Sequence, residues 1–131
     1  MSAVNAKPTF NGSLRGFHEL WIAETRRFIE PAMVPGADFW TRWAAVRYLA
    51  DDFRERYWIE RRLVDRLELS LPTSVAAGLA AEGEQVYGLR LELDRVGRRR
   101  GTAEAFAAAA EALLERLGLW LAEIERVALL R

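Results

Sequence analysis

The sequence predicts an all-α protein, an antiparallel up-down-up-down four-helix bundle whose second helix is the longest. Apolar residues recur at heptad-like spacing through four long segments, as they do on the buried faces of packed helices. No stretch alternates apolar and polar residues between turn signals, which is the pattern of a half-buried strand. The connections between the four segments are short, and short connections place successive helices side by side in opposite directions.

The chain is predicted to begin with a loose N-terminal arm, residues 1–13, followed by a single helical domain, residues 14–131. Ser13 is a suitable N-cap for the first helix, which is predicted over 14–30. This helix should end before Pro31, because the residue that precedes a proline is disfavoured in helical backbone.

The second helix is predicted over 38–69, where its periodic pattern stops at a turn signal that contains Pro72. The third helix is predicted over 73–97 and ends in a glycine- and arginine-rich connection. Thr102 is a suitable N-cap for the fourth helix, which is predicted over 103–130. The second helix is therefore long enough to extend beyond the first at one end.

The core positions follow from the apolar periodicity of each helix. In the fourth helix they are Phe106, Ala110, Leu113, Leu117, Trp120, Ile124 and Val127. In the first helix they are Leu14, Phe17, Trp21, Glu24 and Phe28. A glutamate thus occupies one apolar position of the first helix, and Glu60 and Glu82 do the same in the second and third helices.

The composition excludes several classes of chemistry. The chain has 131 residues, 19 basic and 19 acidic side chains, one histidine and no cysteine. Without cysteine there is no disulfide, thiolate nucleophile, iron–sulfur cluster or cysteine-bound zinc, and one histidine excludes a multi-histidine metal centre. No signal peptide or membrane span is apparent, so we expect a cytoplasmic protein without a membrane partner and without a cofactor.

An acidic motif, D-D-x-x-E, opens the charged middle of the second helix at Asp51, Asp52 and Glu55. It resembles the D-D-x-x-D/E motif of the isoprenoid synthases, which implies helix-borne carboxylates that hold magnesium against a diphosphate. It also resembles the E-E-x-x-E motif of the small all-helical nucleotide pyrophosphohydrolases. Each likeness covers only this motif, and the downstream E-x-x-D of the second family is absent. The other interpretation is a solvated helix face, since Asp52 and Arg56 are one of several opposite-charge pairs three or four residues apart.

Glu60 and Glu82 are predicted to lie at the same height in the bundle. Two facing carboxylates could share a proton or hold a cation, which makes them candidate metal ligands together with the three acids of the motif. Alternatively each glutamate lies at the rim of the core or pairs with an arginine. A ligand-binding or phosphate-ester-hydrolysing bundle built on these five acids is the alternative functional hypothesis.

Aromatic residues crowd the second helix, and Tyr48 and Trp58 are predicted to point away from its core positions. Together with Arg54, Arg61 and Arg62 they form a predicted protein interface, since Trp, Tyr and Arg are enriched in such surfaces. The favoured function is therefore a non-enzymatic helical interaction or adaptor subunit that binds a protein partner or a second copy of itself. Small residues of the third helix (Ala76, Ala80 and Gly83) are predicted to form a slot for a tryptophan of the second or fourth helix.

Two further features are weaker functional signals. His18 is predicted to lie level with Asp51, and a His–Asp contact would raise the pKa of the histidine. The cluster Arg98, Arg99 and Arg100 suggests a nucleic-acid backbone as a further alternative partner. The zero net charge argues against nucleic acid, and basic residues are also common where a helix ends.

Overall fold

The computed structural model describes residues 13–99 and 102–129, and all regular secondary structure in this part of the chain is helical. This confirms the all-α prediction. The elements, in chain order, are α1 (Leu14–Met33), α2 (Phe39–Tyr48), a π-helical turn (Leu49–Phe53), α3 (Arg54–Glu68), α4 (Thr73–Arg98) and α5 (Ala103–Leu129). Residues 1–12 of the predicted arm, and Arg100 of the basic cluster, lie outside the described residues.

The predicted second helix is present as α2, the π-helical turn and α3, which follow one another without a break from residue 39 to residue 68. These three elements are called the long helix below. The predicted N-caps are confirmed, because Ser13 Oγ accepts from the Gly16 N–H at 3.0 Å and Thr102 Oγ1 from the Ala105 N–H at 3.0 Å. The predicted end of α1 is wrong, since the helix continues through Pro31, whose missing N–H removes only one hydrogen bond close to the helix end.

Neighbouring helices contact one another in opposite order along the sequence, as antiparallel packing requires. The contacts that show this order are Thr25–Tyr48 and His18–Glu60 between α1 and the long helix, Leu49–Arg90 and Tyr57–Gly83 between the long helix and α4, and Leu79–Trp120 and Gly97–Phe106 between α4 and α5. The four helical rods thus pack on one another as a bundle.

The core positions of α5 are predicted correctly, since all seven residues are buried. The predicted core face of α1 is wrong by one position along most of the helix. Its buried residues are His18, Trp21, Thr25, Ile29 and Ala32, whereas Phe17 is 48% exposed. In α4 the buried face carries Gly83 and Arg90, and Glu82 lies beside it. Polar and small residues occupy core positions in α1 and α4, so the apolar periodicity did not identify which residues of these helices face the core.

The prediction that Tyr48 faces a partner is wrong, because its side chain is only 3% exposed. Its hydroxyl lies 2.7 Å from Thr25 Oγ1, and its ring stacks on Phe28 with centroids 4.7 Å apart. The physical cause is the π-helical turn that follows Tyr48. A turn with one residue more than an α-helical turn allows Tyr48 and Phe53 to face the core together, although they are five positions apart.

The π-helical turn also brings a buried cation into contact with the backbone. Arg90 of α4 is 4% exposed and donates from Nη1 to the Leu49 carbonyl at 3.0 Å. Its guanidinium lies over the Tyr87 ring, 4.8 Å from the centroid. The guanidinium is thus stabilised by a carbonyl and an aromatic face.

The predicted slot on the third helix is occupied by Trp120 of α5. A Cβ at Gly83 would lie 2.7 Å from Cζ2 of Trp120, so only glycine allows the indole to approach this closely. The indole N–H donates to the Leu79 carbonyl at 3.0 Å, and the Tyr57 hydroxyl donates to the Gly83 carbonyl at 2.9 Å. No helix in the described part of the chain is long and apolar enough to cross a membrane.

Candidate functional site

His18 lies buried between two carboxylates from two different helices. Its Nε2 is 2.7 Å from Oε2 of Glu60 on α3, and its Nδ1 is 2.6 Å from Oε2 of Glu125 on α5. His18 is 2% exposed and Glu60 is 7% exposed, while the Glu125 side chain keeps 25% of its surface in solvent. The bundle therefore holds a charged three-residue cluster, called the histidine cluster below, near one end of its core.

The hydrogen bonding of the histidine cluster favours an imidazolium. An ionised carboxylate only accepts hydrogen bonds, so two carboxylates on the two ring nitrogens require both nitrogens to carry a proton. Burial by itself lowers the pKa of His18, but the hydrogen bond and charge of Glu60, followed by those of Glu125, outweigh it. The pKa of His18 consequently lies above its ordinary value of 6.5.

The raised pKa of His18 predicts a pH-dependent stability with a definite sign. Below about pH 6.5 the histidine is protonated in the folded and the unfolded chain alike, and its ion pairs contribute fully. Above this pH the unfolded chain releases the proton first, so the free energy of unfolding should fall as the pH rises through the folded-state pKa. Denaturant unfolding at a series of pH values measures this fall.

The same prediction can be checked directly, because His18 is the only histidine in the chain. Its ring C–H resonances should titrate above 6.5 in the folded protein, and the His18→Gln variant should lack the fall in stability above neutral pH. A histidine resonance that titrates at or below 6.5 would contradict the prediction.

The predicted partner of His18 is wrong, since Glu60 takes the place expected for Asp51. The connection between α1 and α2 turns around Gly36, which has a positive φ of 84°. A turn at this position and the extra residue of the π-helical turn both move the partner of His18 toward a later part of the long helix. Asp51 remains exposed on the surface of the bundle.

A pocket of about 320 Å³ lies between α1 and α3 at the histidine cluster. It is lined by Leu14, Phe17, His18, Trp21, Arg56, Ile59, Glu60 and Leu63. Most of these side chains are apolar, and three of them carry charge. The combination of apolar walls with a few convergent polar groups is typical of small-molecule sites.

The acidic motif lies on an exposed helix face, as the second interpretation predicts, but the opposite-charge pairs expected along this face are not formed. Among the described residues no ion pair joins Asp52 to Arg56, or Arg56 to Glu60, although their spacing allows it. Glu60 is turned into the core toward His18, so Arg56 has no carboxylate partner in the described part of the chain. The guanidinium of Arg56 and the carboxylate of Glu60 therefore line one pocket without forming an ion pair.

The five acidic residues considered as metal ligands are not brought together. Asp51, Asp52 and Glu55 are exposed on the surface of the long helix. Glu60 faces α1 instead of Glu82, because Gly83 occupies the inward position of α4 at that level. Within residues 13–99 and 102–129 no group of three or more acidic or histidine side chains has an arrangement that could hold a metal ion.

The outer face of α3 carries an exposed apolar centre between charged ends. Trp58 is 44% exposed and Ile59 is 53% exposed, and Arg54 and Arg62 beside them are exposed as well. Arg61 is only partly buried, and its Nη1 donates to the Tyr57 hydroxyl at 3.3 Å, so it lies toward α4 at the edge of this face. Trp58, Arg54 and Arg62 are thus exposed, whereas Tyr48 is buried and Arg61 is partly buried. The interface itself stays a prediction.

The basic cluster at the end of α4 is partly engaged within the chain. Arg98 donates from Nε to Asp94 at 2.8 Å and lies over the Trp43 ring, 5.6 Å from its centroid. Arg99 is exposed, and Trp40 on the same end of the bundle is 73% exposed. The nucleic-acid hypothesis for these arginines stays a prediction that no contact in the structure tests.

Sequence reasoning missed the roles of two charged residues, Glu125 in the histidine cluster and the buried Arg90 at the π-helical turn. Glu125 lies directly beside the core position Ile124, and only its distance from His18 in the folded chain reveals its role. Arg90 lies four residues after Val86 in a helix rich in small residues, and an arginine at such a position gives no apolar signal. Burial of a cation that is compensated from another helix cannot be read from one helix alone.

Comparison with known protein families, with characterised proteins and with solved structures finds no significant match. The function of this chain is therefore argued from its own residues.

Proposed function

We propose that the protein is a non-enzymatic interaction module that pairs with a second copy of itself through the outer face of α3. The observation that carries the proposal is the exposure of Trp58 and Ile59 side by side in the middle of this face, at 44% and 53%. An exposed tryptophan next to an exposed isoleucine is unfavourable in water, and tryptophan is the side chain most enriched among residues that dominate binding energy.

The charges around this apolar centre are arranged for self-complementary pairing. Glu55 lies about one turn before Trp58 and Ile59, and Arg62 lies about one turn after them, on the same face of the helix. In a two-fold antiparallel pair of α3 helices, Glu55 of one copy faces Arg62 of the partner subunit, and the same contact occurs a second time by symmetry. Further from the centre, Asp51 of one copy would face Arg66 of the other in the same arrangement.

The apolar centre is also held in a defined orientation before binding. The Trp58 ring packs at 5.2 Å from the Tyr57 ring and at 5.7 Å from the Tyr87 ring, measured between centroids. A side chain already fixed by its neighbours loses less conformational entropy when a partner covers it. The acidic residues of the D-D-x-x-E motif then act as one charged border of an interface.

The Trp58→Asp variant should be monomeric at protein concentrations where the natural chain is dimeric. The substitution places a carboxylate at the apolar centre, where both copies would bury it next to its counterpart. Sedimentation velocity over a concentration series measures the change. The matched control is Leu119→Asp, which replaces a leucine on α5 that is 55% exposed and should leave the association unchanged.

Charge reversal tests the antiparallel register separately. Glu55→Arg alone and Arg62→Glu alone each place like charges opposite each other twice, and each should raise the dimer Kd by at least about tenfold. The double variant restores unlike charges and should recover most of the natural affinity. A natural chain that stays monomeric at high concentration would refute self-association, and single reversals without effect would refute this register.

A further inference from the structure

The pocket between α1 and α3 offers two opposite charges that do not neutralise each other. Glu60 and Arg56 both line it, one helical turn apart on α3, but no ion pair joins them. Oε2 of Glu60 is bonded to His18, and the described residues supply no partner for its Oε1. The guanidinium of Arg56 forms no ion pair or hydrogen bond with the residues that the structure describes, and its charge acts on the Tyr48 hydroxyl only at longer range.

The carboxylate of Glu60 is held in a fixed position. His18 binds its Oε2 at 2.7 Å, and Glu125 in turn fixes the other side of the histidine ring at 2.6 Å. Because Glu125 contributes a second negative charge, the histidine cluster keeps a net negative charge even with an imidazolium at its centre. The base of the pocket is therefore suited to a cationic group, while Arg56 is suited to an anionic one.

The remaining walls of the pocket are apolar. Leu14, Phe17, Ile59 and Leu63 line it together with the buried Trp21, whose indole N–H has no hydrogen-bond partner among the described residues. A volume of about 320 Å³ is at the small end of the range for ligand pockets. It restricts the occupant to a small molecule with an apolar body.

We propose that this pocket binds an α-amino acid with an apolar side chain, or a zwitterion of the same chemistry. Its ammonium group contacts Glu60, its carboxylate contacts Arg56, and its side chain lies among the apolar walls. A ligand with only one of the two charges leaves either Glu60 or Arg56 without a partner, and this difference provides the selectivity. The site is separate from the proposed dimer contact, although Ile59 borders both.

The probes for this proposal are L-phenylalanine, 2-phenylethylamine, which lacks the carboxylate, and 3-phenylpropanoate, which lacks the ammonium group. Binding is followed by NMR through the ring signals of His18 and the indole N–H signal of Trp21, and the affinity is measured by calorimetry. We expect saturable binding of L-phenylalanine that is at least about tenfold tighter than that of either analogue. Absence of saturable shifts with L-phenylalanine, or equal affinity for all three probes, would overturn the proposal.

Two variants assign the charges. Arg56→Gln should weaken the binding of L-phenylalanine at least about tenfold and leave that of 2-phenylethylamine unchanged. Glu60→Gln should weaken the binding of L-phenylalanine and 2-phenylethylamine and leave that of 3-phenylpropanoate unchanged. The controls are Arg116→Gln and Glu115→Gln, at exposed positions of α5. Arg56 forms no hydrogen bond or ion pair within the described chain, so its variant should fold even if Glu60→Gln does not. An unchanged affinity of Arg56→Gln overturns the proposal.

The binding measurement is repeated with the Trp58→Asp variant. Because Trp58 does not line this pocket, tight binding of L-phenylalanine by a monomeric variant supports the ligand site independently of self-association. Loss of binding in this variant alone would show that the site needs the second copy, and it would overturn the pocket as a site within one chain.

Discussion

Replacing His18 with leucine is expected to lower the free energy of unfolding by about 3–5 kcal/mol, the usual cost of removing one partner from a buried charge cluster. The histidine is 2% exposed and supplies the cation between Glu60 and Glu125. Without it, the buried Glu60 has no opposite charge within hydrogen-bond distance and must either stay ionised in the core or take up a proton. Denaturant unfolding at neutral pH measures the loss.

A double variant separates the charge effect from the loss of packing. The double variant, His18→Leu with Glu60→Leu, removes the buried carboxylate that has lost its partner. Glu125 can turn to solvent because 25% of its side chain is already exposed. The double variant should therefore be more stable than His18→Leu alone, since an apolar replacement of a buried ion pair is often neutral or stabilising. Equal or additive losses in the single and double variants would show that the cluster acts through shape alone.

Changing Gly83 to alanine is expected to lower the free energy of unfolding by about 1–3 kcal/mol, the range for overpacking a filled core. The added methyl group would lie 2.7 Å from Cζ2 of Trp120. The indole cannot move aside freely, because it is 1% exposed and its N–H is bonded to the Leu79 carbonyl. Thermal and denaturant unfolding measure the effect.

Gly88 provides the matched control for this substitution on the same helix. A Cβ at Gly88 would meet no atom within 4 Å, so the Gly88→Ala variant should gain about 0.5–1 kcal/mol from the better helix propensity of alanine. The two substitutions are chemically identical and should change stability in opposite directions. A stabilising effect of Gly83→Ala would mean that Trp120 is not confined to the slot.

Much of the architecture can be predicted from the sequence because helix ends and apolar periodicity are local properties. Ser13 and Thr102 cap α1 and α5 as predicted, and the core face of α5 is correct because aliphatic residues and two aromatic rings mark it without interruption. The buried face of α1 is harder to predict from the sequence, because the polar residues His18 and Thr25 occupy two of its positions. Only their partners on other helices make these polar side chains tolerable in the core.

The candidate site could be predicted only in part. Glu60 stands out in the sequence because it interrupts an apolar face, but its partner depends on where the chain turns between α1 and α2. Each residue of error at the turn moves the expected partner by about two residues along the long helix, and the extra residue of the π-helical turn moves it further. The exposed position of Trp58 was predicted correctly, whereas Tyr48 was misplaced because the sequence gives no sign of the π-helical turn.

The extra residue of the π-helical turn is coupled to the buried positive charge of Arg90. In an ordinary α-helix the carbonyl of Leu49 would face the N–H four residues later. In the π-helical turn the backbone pairing is displaced by one residue, and the same carbonyl accepts a hydrogen bond from Arg90. Deleting one residue between Leu49 and Phe53 would still leave Tyr48 and Phe53 one regular turn apart. It would, however, turn the Leu49 carbonyl relative to the guanidinium that it accepts from. We therefore expect a shorter chain to tolerate an uncharged residue in place of Arg90 better than the arginine itself.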